Sequence, residues 1–82
     1  MALAYAVILV TGDLFDRHRR DTVQMAQDAA DKKFEELAQE NMKGLVTRNP
    51  EPHIMSVGEL RQHFPHANLH NLVGLRFTAD IT

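Results

Sequence analysis

The chain has 82 residues, 44% of them apolar and 24% charged, with a net charge of −2 and no cysteine. That balance excludes the disordered and membrane-embedded classes, and a weakly acidic total gives nucleic acid or an anionic bilayer no long-range reason to approach. Lack of cysteine removes disulfides, thiolate metal sites and thiol nucleophiles together, and is the usage expected of a reducing cytoplasm.

A folded chain of this size buries only about 60 to 65% of the surface its unfolded form exposes. Residues 1–82 are therefore expected to form one small domain of modest stability that gains from a partner.

Residues 3–10, LAYAVILV, are rich in β-branched side chains and apolar at both parities, the pattern of a strand covered on both faces. The run has no basic residue before it and no small-residue cleavage site after it, so it reads as a strand rather than a secretory signal. No apolar run approaches the roughly 20 residues that span a bilayer. One parity holds Tyr5, Val7 and Leu9, and the other Ala4, Ala6, Ile8 and Val10. Helices in so short a chain are expected to cover one face only, which leaves Ala4, Ala6, Ile8 and Val10, or else the opposite parity, for an oligomer interface, the first set being the one assigned.

Thr11, Gly12 and Asp13 end the strand. Asp21 with Gln24 has the spacing of a capping box and predicts a helix over residues 22–43, with a start as early as Asp13 or Asp16. Its apolar stripe is Val23, Ala26, Ala30, Phe34, Leu37 and Ala38, and Lys43 followed by Gly44 closes it. At 1.5 Å per residue such a helix is about 33 Å long, against about 26 Å for an eight-residue strand, and is expected to overhang it.

Residues 45–48 and 53–55 are short strand-like pieces flanking Asn49, Pro50, Glu51 and Pro52, where two prolines favour a turn, which would make a hairpin, or an extended connection. Ser56 with Glu59 repeats the capping-box pattern and starts a short helix carrying Val57, Leu60 and Phe64 on one side and stopped by Pro65. Residues 72–81 alternate, with Val73, Leu75, Phe77, Ala79 and Ile81 on one face.

The element order matches βαββαβ, which predicts an α+β, two-layer α/β sandwich of ferredoxin-like topology with its helices on one face. Without a strand at 45–48, a three-stranded βαβαβ unit remains. Pairing through the free sheet face, or strand to strand at an edge, would give a symmetric dimer.

Two clusters carry chemistry. Glu59, His63, His66 and His70 are residue types that ligate zinc, nickel or ferrous iron, and three of them around one transition metal would leave an open position for catalysis. Pro65 interrupts the helix between them, and the spacing matches no zinc motif, so solvated loop histidines are the competing reading. Arg17, His18, Arg19 and Arg20 stand near a helix start, where guanidinium groups and backbone N–H groups favour a phosphate, a carboxylate or an acidic partner. Against that, Asp13, Asp16 and Asp21 bracket the cluster and no glycine-rich phosphate loop accompanies it.

Ser56 is the only serine and is accounted for as a cap. His53 beside Tyr5 is a candidate base in a cleft between helices and sheet. Met25, Met42 and Met55 read as gap-filling core or interface residues. Basic and aromatic residues do not interleave on a strand as an RNA-binding sheet requires.

By elimination, the residues point to a non-enzymatic, cytoplasmic interaction or ligand-binding domain without a cofactor. It would act as a homo-oligomer, a dimer above all, or as an accessory subunit of a larger protein. The rival is a small enzyme with a histidine-rich site, with or without metal, or with a dimeric sandwich-type cleft.

Overall fold

The structure is a computed structural model and describes residues 2–40, 46–49 and 51–81, of residues 2–4 and 81 the backbone alone. In chain order the elements are β1 (Ala2–Thr11), α1 (Gly12–Arg17), α2 (Arg19–Glu40), β2 (Val46–Arg48), β3 (His53–Ile54), α3 (Val57–His63) and β4 (Leu72–Ile81). Among the described residues the fold is mixed α+β, with a four-stranded antiparallel open sheet and three helices. The strand expected at residues 45–48 is present as β2, Leu45 lying outside the described residues, as do Met42, Lys43 and Gly44 at the expected helix end.

β4 organises the sheet. On one flank it pairs with β1, regularly from Ala6 opposite Phe77 to Thr11 opposite Leu72 and irregularly between Leu3 and Ala6. On the other flank β2 sets Val46 opposite Ile81 and Arg48 opposite Ala79, and β3 sets His53 opposite Arg76. The backbone N–H of Asn49 donates to Thr78 O (3.0 Å) and that of Met55 to Gly74 O (2.9 Å). β2 and β3 therefore follow one another along a single edge of β4 and are not a hairpin. Proline has no N–H for a ladder, and the pairing is interrupted on the stretch containing Pro52, between Arg48 opposite Ala79 and His53 opposite Arg76.

The helical segment after β1 is divided. Thr11 caps α1 by accepting from Leu14 N–H (3.3 Å), and the chain turns at His18 before α2 begins. Gly12 closes against the turn that enters β4. Its N–H donates to Asn71 O (2.7 Å), a β-carbon on it would meet the Asn71 side chain, and Asn71 itself adopts a left-handed φ of 61°.

α2 buries Thr22, Ala26, Ala30, Phe34 and Ala38, each four residues from the next. The alanines let the helix lie close to the sheet, and Phe34 fills the space that remains. Their partners are Phe15 from α1 and Leu75, Phe77 and Ala79 from β4. Among the largest side chains, Phe34, Phe77, Leu60 and Leu75 are fully buried, worth about 1.5–3 kcal/mol each. β1 and β4 are ten residues long, about 33 Å, so they match the 22-residue α2 instead of being overhung.

Two expectations about the sheet faces are corrected. Ala6, Ile8 and Val10 pack against the α2 core, so that parity faces inward; the side chain of Ala4 lies outside the described residues. Tyr5, Val7 and Leu9 take the other face, together with Gly74 and Arg76. There Leu60 of α3 and Met55 close on Gly74, which puts α3 over the face opposite α2 and not beside it. Met25, read as a core or interface residue, is not in the core and is 68% exposed on α2.

Candidate functional site

The division of the helical segment at His18 decides where the basic residues go. Arg17 precedes the turn and extends into water beside Asp13, 3.9 Å away, a pair too exposed to be worth more than about 1 kcal/mol. His18 is exposed at the turn itself. Arg19 and Arg20 open α2 and line a cleft of about 560 Å³ between that helix and the interrupted edge strand.

Phe15 and Leu75 form the apolar floor of this cleft. Val23, Gln24 and Gln27 continue the α2 wall, and Glu51, Pro52 and Ile54 form the opposite wall. The Arg19 guanidinium lies over the Phe15 ring, its Cζ 5.4 Å from the ring centre. Two guanidinium groups against the single carboxylate of Glu51 leave the cleft cationic. The edge strand that forms its far wall is anchored to α2 by the ion pair of Arg48 with Asp31. The site thus offers an apolar floor and a surplus positive charge, a combination suited to an acid group attached to an apolar body.

A second polar cluster occupies the α3 face. The Ser56 hydroxyl accepts from Glu59 N–H (3.2 Å), the expected capping box, and this aims the Glu59 side chain at β3 and β4. His53 Nε2 lies 3.1 Å from Glu59 Oε1, and Arg76 Nη1 donates to Glu59 Oε2 at 3.4 Å. The hydrogen bond from His53, joined by the charge of Arg76, holds the Glu59 carboxyl below its ordinary value of 4.5. Arg76 also lies over the Tyr5 ring, 5.8 Å from its centre, and its buried Nε has no hydrogen-bond partner among the described residues. The Tyr5 hydroxyl is 2.9 Å from His63 Nε2, with the two rings edge to face.

The residues grouped by sequence as metal ligands are thus placed in different company. Glu59 is engaged by His53 and Arg76 and His63 by Tyr5, while His66 and His70 are exposed on the loop before β4. Among the described residues no three histidine, aspartate or glutamate side chains are placed to hold a metal. His53 and Tyr5, paired as a candidate base and its neighbour, bond to different partners, and neither lines the cleft.

Phe15, Gln24, Gln27 and Glu51 were not legible as site residues. Their one signal was proximity in sequence to the arginines or to the paired prolines. Comparison with known proteins finds no matching family model, no similar curated protein and no similar solved structure. No helix among the described residues is long and apolar enough to cross a membrane.

Proposed function

We propose that this chain is a non-enzymatic, self-associating binding domain whose cleft takes an acidic group carried on an apolar body. That group belongs either to a small ligand or to the surface of a larger protein of which this chain is an accessory subunit. The observation that carries the reading is the position of Arg19 and Arg20 on a cationic wall above the apolar floor of Phe15 and Leu75. Its work is done in the cytoplasm, a reading supported by the cysteine-free sequence. The ferredoxin-like arrangement is kept as the frame for this function on the strength of the expected βαββαβ order, and it has to accommodate a β4 that is flanked on both sides and an α3 on the face opposite α2.

The test is binding of anilinonaphthalene sulfonate, an anionic aromatic dye, followed by fluorescence. Wild type is expected to bind it, and Arg19→Gln with Arg20→Gln to weaken binding at least about tenfold, or about 1.4 kcal/mol, with the circular dichroism unchanged. Equal binding by the folded double variant would overturn the assignment of the cleft. The rival small enzyme has the Tyr5–His63 pair as its support, and turnover abolished by His63→Gln would establish it.

A further inference from the structure

The two edges of the sheet are finished differently. The β2–β3 edge is interrupted between Arg48 and His53, carries Pro52, and is tied down by Arg48 to Asp31 and by His53 to Glu59. Those are the devices by which proteins prevent an edge from pairing with another strand. β1 carries no such proline or ion-pair tie, and its register irregularity is confined to the stretch between Leu3 and Ala6. Its ten residues, ALAYAVILVT, include no charge, proline or glycine, and among the described residues β4 is its only pairing partner.

The helix above β1 continues the contrast. Positions 20, 24, 27 and 31 of α2 face the β2–β3 edge through the cleft and the Arg48 ion pair. At 100° per residue, positions 25, 29, 33 and 36 turn toward the opposite flank, the β1 side, with 21 and 32 on the outward surface beside it. Met25 and Ala29 are exposed there, an apolar pair with Asp21 on its N-terminal side and Lys32 and Lys33 on its C-terminal side.

The geometry points to β1 as the dimerisation edge, its occupant being a second copy of β1 added antiparallel about a two-fold axis, so that one sheet runs through both protomers. A second copy is favoured because the edge complements itself. An uncharged strand meets no like charge in its own copy, and an antiparallel copy of α2 centred on Met25 and Ala29 brings Asp21 toward Lys32 and Lys33 of the other protomer. Pairing of this kind also satisfies the outward N–H and C=O groups of residues 6–11, the regular part of β1. The inference rests on the reading that the chain self-associates and is independent of what the cleft binds.

Native mass spectrometry of the untagged full chain, with and without edge substitutions, tests it. Wild type is expected at twice 9.3 kDa. Met25→Asp on the exposed helix flank and Val7→Lys on the strand are each expected to raise the dimer dissociation constant at least about tenfold, and Thr47→Lys, exposed on the opposite edge, to leave it unchanged. Hydrogen exchange, which needs no substitution, is expected to show backbone amides of residues 6–11 losing protection on dilution. A monomeric wild type would overturn self-association itself. A dimer that resists Met25→Asp and shows no dilution-dependent exchange in β1 would overturn only the choice of edge.

Discussion

Leu60 of α3 rests on Gly74 of β4, filling the space where any β-carbon at residue 74 would stand. Because Gly74 has the parity of Arg76 and not of Leu75, this contact is what places α3 on the face opposite α2. Gly74→Ala drives a methyl group into Leu60 and Met55 and is expected to cost about 1–3 kcal/mol, read from urea unfolding. Gly58→Ala is the contrast. A β-carbon there meets only Ser56 Oγ at 3.8 Å, inside a helix, and the change is expected to stabilise by about 0.4–1 kcal/mol.

Phe34 is the large side chain on an α2 face otherwise built from alanines and Thr22, so no neighbour on the helix can fill its place. Phe34→Ala is expected to cost about 3–5 kcal/mol. Small domains have only about 5–15 kcal/mol in all, so the variant should show a sharply lowered urea midpoint or no folded baseline.

Glu59 has a folded-state pKa depressed by His53 and Arg76, so its contribution is present above the ordinary value of 4.5 and disappears as pH falls through the folded value. The stability difference between wild type and Glu59→Gln is therefore expected to be largest near neutrality and to vanish below the folded pKa. Urea titrations at a series of acidic pH values check this, and a difference that grows on acidification would contradict the pairing.

Tyr5 and His63 are bonded to each other at an exposed position, so Tyr5→Phe is expected to cost no more than about 0.5 kcal/mol. Stoichiometric zinc or nickel added to untagged protein is expected to leave the thermal midpoint unmoved, because Glu59 and His63 are held by other partners. A rise abolished by Glu59→Gln would show that the histidines do assemble around a metal.

By itself the sequence determined the elements whose signals are local. Alternation in residues 72–81 marked β4 to the residue, the stripe through Ala26, Ala30, Phe34 and Ala38 marked the buried face of α2, and Ser56 with Glu59 marked the start of α3. Those signals are periodicities and caps, set by neighbours within one or two turns.

Tertiary structure alone decided which face each parity of β1 takes, since both parities are apolar and only packing against α2 distinguishes Ala6 from Val7. It also decided that β2 and β3 share one edge of β4, because Pro52 permits either a hairpin turn or an extended connection and the pairing of Asn49 and Met55 with β4 selects the extended connection. The cleft depends on both outcomes. Arg19 and Arg20 were visible as charges, but the floor of Phe15 and Leu75 and the wall of Glu51 and Ile54 exist only once distant segments meet across the sheet. Long-range contacts leave no period in a chain, which is why the arginines were legible and their site was not.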